Sequence, residues 1–574
     1  MSARRASILT LIILAASLAT LLAAHLVAST GQPAPATLLP AGALLSIESP
    51  DFQSLISDWN GSPEKQAWLK SDNYAVFSRS RLFERLSAAQ SEFAAAAGLP
   101  PDMQLVSEIA GKESAFAWYD IGKLEFVYIT RMPSGSFDQS RLWQARGKFE
   151  HREAAGADFY VRADPQSNRV VAFAEASDWV ILGTREDLVA DTLAAIKGQK
   201  GRSLGDEAWY IDSVAQAKAP GELRMVLNLD KLVPSPYFRS YWIQQNITEM
   251  KQYRAAISDL YRDKSAYREE RVLLRRTKAE PGNAKVDVSP LAAAVAPTAG
   301  FYQAIAAPGG ARALAVLEEK LLDPKPGNAS NTRYAPNPSL TGEQAGEASD
   351  LETRIDQAPA EDGHGSVDSW EPLKDILAGA QLNGLLTVES AAPQPGSIFD
   401  AFHTAVVLSN ATDWQIDPIK SALSSGLQPK LTASRLGVEW LQKDGYEQCN
   451  GLLPLFVSVQ GKYLILANDS DLLQALKARL AQPAVAGEAA VYVAGFNHAS
   501  EGGPFARITT LIDRANQRGS SADGSDAGSQ NQAPAFFSGD IASLSQTFNA
   551  MTEEKMIERD GGDVVTETVT YQWK

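Results

Sequence analysis

The chain has 574 residues, with 53 Lys+Arg against 68 Asp+Glu for a formal charge of −15, 45% hydrophobic residues and a single cysteine. That much apolar material excludes a disordered chain, one cysteine excludes a disulfide scaffold, and the acidic balance excludes a dedicated nucleic-acid binder. At roughly 150 residues per domain, the length allows about three or four domains.

Arg4 and Arg5 precede an uncharged run over 6–31 in which His25 is the only ionisable side chain. At about 1.5 Å rise per residue this run crosses a hydrocarbon core of roughly 30 Å. The basic flank places the first residues in the cytoplasm and the remainder outside. Residues 1–31 are therefore expected to be a signal anchor, a transmembrane helix that holds a single-pass inner-membrane protein with its ectodomain in the periplasm. The alternative is cleavage near Val27-Ala28-Ser29, which would release a secreted protein. Setting the two arginines aside leaves −17 on the exported portion, which anionic head groups would repel. The lone Cys449 suits export, since it has no partner for an internal disulfide.

Beyond the anchor, residues 32–36 form a short stiff spacer, and 38–47 read as a turn feeding a first strand. Helices are expected over 65–72 and 82–97. Two distant regions then resemble each other. Ile109-Ala110-Gly111 before Ala115-Phe116-Ala117-Trp118 matches Leu377-Ala378-Gly379 before Leu385-Leu386-Thr387-Val388. Val127-Tyr128-Ile129-Thr130 matches Val406-Val407-Leu408-Ser409. The clearest match sets Trp179-Val180-Ile181-Leu182-Gly183-Thr184 against Tyr463-Leu464-Ile465-Leu466-Ala467-Asn468, each a strand running into a helix with Thr184 or Asn468 as N-cap. Gly221-Glu222 and Gly487-Glu488 each precede a further strand.

The expected fold is α+β, with two tandem copies of a unit in which several antiparallel strands carry at least two helices on one face. The first copy spans 32–240 and the second 370–518. Between them, Ile243, Ile247, Met250, Ile257 and Tyr261 fall at helical spacing, which predicts a long helix over 241–276 inside a helical insertion of 241–322. Residues 323–369 are rich in Pro, Gly, Asn, Ser and acids and read as a flexible linker, and 519–535 as a low-complexity loop. The C-terminal region 536–574 holds a final strand over 563–573 with strong β propensity.

The Leu39-Pro40 strand signal, the Ile109-Ala110-Gly111 step, the Trp179 to Leu188 strand-to-helix step and the N-terminal anchor together resemble a bacterial family of membrane-anchored envelope proteins catalogued only as a domain of unknown function. The resemblance covers most of 38–240 and again 370–510. It implies an extracytoplasmic location and transfers no catalytic residue.

Chemistry-bearing patterns are sparse. Ser62-Pro63-Glu64-Lys65 matches the S-x-x-K of serine β-lactamases, and Ser71-Asp72-Asn73 their S-D-N, but five residues of separation and no K-T-G argue for a surface helix start. His25, His151, His364, His403 and His498 form no close-spaced metal set, and Asp523-Gly524-Ser525-Asp526 lacks the alternating oxygen ligands of a calcium loop. Gly309-Gly310 has no Lys-Ser/Thr after it and reads as a turn, and Cys449 as a small semi-buried residue. Trp118, Tyr119, Phe126, Tyr128, Phe159, Tyr160, Phe173 and Trp179 read as sheet packing, with glycan or peptide binding as the alternative. The basic stretch 268–278 reads as a solvated helical face. No catalytic, cofactor or metal residue is assigned. The expected function is non-enzymatic binding or scaffolding of another envelope component, a protein partner above all, by an anchored periplasmic protein. Alternatives are an extracytoplasmic hydrolase with a site between the two units, and a tethered lipid or peptide carrier.

Overall fold

The structure is a computed structural model, and it describes residues 34–70, 74, 78, 81–199, 201–235, 250–263, 265–277, 286–322, 370–392, 401–431, 438–449, 454–482, 489–498, 500 and 551–573. The expected anchor 1–31, the linker 323–369 and the insert 519–535 lie outside these residues. Among the described residues no helix is long and apolar enough to cross a membrane. The chain divides into two compact units, Met1–Phe52 with Ser91–Ile211, and Gln53–Gln90 with Asp212–Lys574.

In the first unit, β1 (Leu45–Ser49), β2 (Ser114–Asp120), β3 (Glu125–Arg131), β4 (Glu150–Ala154), β5 (Ala157–Ala163), β6 (Val170–Ala176) and β7 (Trp179–Gly183) form an antiparallel sheet. Its order is β4-β5-β6-β7-β3-β2-β1.

The second unit holds β8 (Leu223–Asn228), β9 (Tyr253–Arg262), β10 (Ala266–Arg275), β11 (Phe301–Ala306), β12 (Leu382–Ala392), β13 (Ala401–Asn410), β14 (Trp440–Lys443), β15 (Tyr446–Cys449), β16 (Leu455–Gln460), β17 (Tyr463–Ala467), β18 (Tyr492–Asn497), β19 (Met551–Asp560) and β20 (Val564–Trp573). All pairings are antiparallel, in the order β8-β9-β10-β20-β19-β18-β11-β12-β13-β17-β16-β15-β14.

The run β11 to β17 thus takes the same succession as β1 to β7, each strand's number raised by ten. The triplets β8-β9-β10 and β18-β19-β20 meet along the β10–β20 ladder. Glu270 pairs with Thr568 there, and each pairs eleven residues back across its own hairpin, with Asp259 and Ile557 respectively. A local two-fold therefore passes through the Glu270–Thr568 pair.

Both sheets are covered by helices on two faces, which corrects the expected one-sided packing. In the first unit Phe93, Leu105, Ile109 and Leu142 pack on Phe173, Val180 and Leu182. The helix Glu186–Ile196 lies on the opposite face, where a Cβ on Gly183 would sit 2.8 Å from Val189. In the second unit Leu317, Leu373, Leu377 and Leu423 pack on Val406, Leu408, Leu464 and Leu466. The other face sets Leu291, Leu473 and Leu476 against Leu386, Val407 and Ile465. The uninterrupted apolar runs Trp179–Gly183 and Tyr463–Ala467 carry this information, because a strand buried on both faces loses its alternation.

The helix expected over 241–276 is absent from the described part of that range, which is the hairpin of β9 and β10; residues 241–249 lie outside the described residues. The expected insertion also contains the strand β11. The charged residues that read as a helical face pair within and across strands instead: Arg271 bonds Glu269 at 2.7 Å and Glu567 at 3.3 Å, and Arg275 bonds Asp560 at 2.6 Å. With charges on both faces of β10, the period-2 signal is lost. The final strand is Val564–Trp573, close to expectation, and helices occur at Pro63–Lys70 and Arg81–Ala97.

Candidate functional site

The helical crossover between β1 and β2 begins with Phe52–Gly61, in which Phe52, Leu55, Ile56 and Trp59 follow the i, i+3, i+4, i+7 spacing of one helix face. None of the ten residues is buried. Trp59 is 42% exposed, Leu69 on the helix Pro63–Lys70 42%, and Leu86 on Arg81–Ala97 45%. Four of the six large exposed hydrophobic side chains among the described residues therefore fall in this crossover, the fourth being Met103 on the helix Met103–Ile109, and the other two are Ile211 and Phe402. The crossover packs on the core through half-buried Phe52 at its start and, further on, through Phe93, Ala96, Ala97, Leu105 and Ile109. Asp58 is tied by an ion pair to Arg262, whose Nε also lies 3.3 Å from Glu222.

The S-x-x-K pattern falls in this crossover and is structural. Ser62 Oγ accepts the Lys65 backbone N–H at 3.1 Å and donates to the Trp59 carbonyl at 2.9 Å, capping Pro63–Lys70. Lys65 Nζ bonds Asn60 Oδ1 at 2.5 Å, and the Ser62 hydroxyl is engaged with the Trp59 carbonyl. Residues 71–73 lie outside the described residues.

The remaining patterns are also accounted for. Cys449 ends β15 at 1% exposure among Leu455, Val457 and Leu423; burial pushes its thiol up, away from the reactive thiolate. Gly309 opens the helix Gly310–Leu317, and a Cβ on Gly310 would lie 2.5 Å from the Leu377 carbonyl, so Gly310 serves close helix packing, whereas a Cβ on Gly309 would meet open space. His151 Nε2 lies 3.0 Å from Asp158, His403 Nδ1 3.5 Å from Asp469, and His498 Nε2 3.7 Å from Glu554, on separate strand ends. No three His, Cys, Asp or Glu among the described residues come together as a metal set. His25, His364 and residues 523–528 lie outside the described residues.

The aromatic residues of the first unit are packing. Phe173 is fully buried, with ring centroids of Phe149 at 5.0 Å and Tyr160 at 5.3 Å. Trp179 is buried under the Arg131 guanidinium, and half-buried Tyr119 donates to the Pro40 carbonyl at 2.7 Å. The basic residues of 268–276 are matched by acids: Arg268 by Glu270, and Arg276 by Asp230 at 2.7 Å. A fully buried bidentate pair, Arg224 and Asp259 at 2.8 and 2.9 Å, joins β8 to β9, and Asp259 also accepts the Gly221 N–H at 3.0 Å. Every charge in that pair is spent on the fold.

The crossover residues 52–59 were missed from sequence although their spacing was present. That spacing signals an apolar face and is silent on whether the face is covered.

No protein-family model matches the chain, and no curated protein matches it. Crystal structures of TP0453 are similar in part. Crystal form I aligns with a TM-score of 0.25 and 9% identity over 44% of this chain and 82% of that one. Form IV aligns with a TM-score of 0.25 and 8% identity over 42% and 81%. A likeness of that size fixes neither fold nor function.

Proposed function

We propose that the chain is a membrane-anchored extracytoplasmic protein that binds or scaffolds another component of the envelope, built from two tandem copies of one ten-stranded unit. Residues 1–31 are its anchor. The copies run from β1 to β10 and from β11 to β20, longer than the 32–240 and 370–518 expected from sequence, because the β9–β10 hairpin belongs to the unit and has its counterpart in β19–β20. The strand succession and the shared register at Glu270–Thr568 support the duplication. The resemblance to anchored envelope proteins agrees with this placement.

The observation that carries the binding role is the number of large apolar side chains that this one crossover leaves in solvent, Trp59, Leu69 and Leu86 among them. Photo-crosslinkers placed at 59, 69 and 86 in native membranes test it. Adducts at these positions and none at Ile211, which is equally exposed in a different helix, are expected. No adducts, together with turnover of substrate in a broad hydrolase screen, would favour an enzyme.

A further inference from the structure

The triplets β8-β9-β10 and β18-β19-β20 hold matching places in the strand succession, and the chain leaves their first strands in the same way. Asn228 Oδ1 accepts the Lys231 N–H at 3.2 Å after β8, and Asn497 Oδ1 accepts the Ser500 N–H at 3.2 Å after β18. The residue that follows each asparagine is buried: Leu229 in one triplet and His498, 4% exposed, in the other. Leu229 packs in an apolar cluster with Leu227, Val233, Ala256 and Leu273. The correspondence that sets Glu270 on Thr568 and Asp259 on Ile557 also sets Ala256 on Glu554 and Leu273 on Tyr571, and Leu227 answers to Phe496. Three apolar side chains of the first triplet are thus a histidine, a carboxylate and a phenol in the second.

We infer that His498 and Glu554 form a proton-operated clasp across β18 and β19, loose with a neutral imidazole and tightened when the ring gains its charge. The neutral ring is held by burial and by an edge-on contact with Phe496, whose centroid lies 4.6 Å away. Its Nε2 lies 3.7 Å from Glu554 Oε2, too far for a hydrogen bond and close enough for an ion pair once the ring is charged. Histidine is the side chain suited to such a change, since it takes up its charge between about pH 8 and about pH 5.

Among the described residues, Glu554 is the charge that meets His498. Tyr571 stands opposite Glu554 on β20, Tyr267 opposite Tyr571 on β10, and Arg262 beyond it on β9 is paired with Asp58 and Glu222. Toward β11 the same row passes from Phe496 to Phe301 and then to Glu389, which Lys320 holds at 2.7 Å. Glu553 and Lys555 alternate to the opposite face of β19, and Glu558 is four residues further along it.

The test reads amide hydrogen exchange of the full chain by mass spectrometry, with protection corrected for the intrinsic rate at each pH. Acidification from about pH 8 to about pH 5 should raise protection of the β18–β19 ladder about fivefold, near the top of the range for a partly exposed ion pair, and leave the β8–β9 ladder unchanged. Glu554→Gln keeps the size and removes the charge, and should abolish the rise. His498→Leu installs the residue type of the first triplet and should abolish it too; if that variant fails to fold, Glu554→Gln still decides. No rise, a rise shared by the β8–β9 ladder, or a rise that survives Glu554→Gln would overturn the clasp. A fall in β18–β19 protection on acidification would also overturn it, since the charged ring would then be leaving its buried place.

Discussion

Thr184 in the first unit and Asn468 in the second make the same set of hydrogen bonds. Thr184 Oγ1 accepts the Phe126 N–H at 2.9 Å and donates to the Leu124 carbonyl at 3.0 Å. Asn468 Oδ1 accepts the Thr404 N–H at 2.7 Å, and its Nδ2 donates to the Phe402 carbonyl at 2.8 Å. Each residue's own N–H returns to the carbonyl of the residue it holds, Phe126 or Thr404. Neither caps the following helix, as the sequence had suggested: Arg185 holds one N-cap position without a side-chain bond, and Asp469 caps the other by accepting the Leu472 N–H at 2.8 Å. Removing the side-chain acceptor leaves one backbone N–H unmatched, a loss of about 1–3 kcal/mol where it is shielded from water. Thr184→Val should speed hydrogen exchange of the Phe126 amide, and Asn468→Leu that of Thr404, each leaving the other unit unchanged.

This correspondence also shows how far the proposed repeat was legible. The strand-to-helix step was found correctly, because Trp179 and Tyr463 begin apolar runs that keep their length. The preceding strand was matched one residue out of register: Thr184 and Asn468 place Phe126 opposite Thr404, so Val127 corresponds to Ala405, whereas similarity of side chains had paired it with Val406. With apolar residues on both faces, a one-residue slip leaves the pattern looking sound while exchanging the faces. The β9–β10 hairpin was read as helix for a related reason, since its ion pairs imitate a charged helical face. The candidate surface was only half legible. The spacing of Phe52, Leu55, Ile56 and Trp59 gives the helix, but exposure depends on what the rest of the chain places over it.

The Arg224–Asp259 pair should behave as a buried structural pair. Both side chains are almost completely shielded, with exposures of 7% and 3%. Asp259→Leu alone leaves a buried guanidinium uncompensated and is expected to lose about 3–5 kcal/mol, whereas Arg224→Met with Asp259→Leu recovers most of it. Denaturant melts of the two single variants and the double variant measure the difference.

Asp102 gives an acid limb to stability. The Arg141 guanidinium, then the Leu105 N–H, hold its carboxyl at about 2, below the ordinary 3.8. A group depressed in the folded state stabilises above its unfolded value and loses that contribution as the pH falls through the folded one. Between pH 3.8 and about 2 the melting temperature should fall more steeply for the natural protein than for Asp102→Asn, as read by thermal melts across that window.

Ser62 should matter to a helix and to nothing else. Ser62→Ala is expected to lose about 1 kcal/mol, the usual value for an N-cap. A reactive β-lactam probe should leave Ser62 unlabelled; a covalent adduct there would restore the acyl-enzyme reading.

Placement outside the cytoplasm underlies the proposed function. A pair of reporters fused after Lys574 tests it most directly: one active only after export, such as a phosphatase that needs oxidation, and one fluorescent only in the cytoplasm. The export-dependent reporter should be active and remain with the membrane fraction. Activity of the cytoplasmic reporter alone would contradict the anchored, extracytoplasmic placement and the binding role built on it.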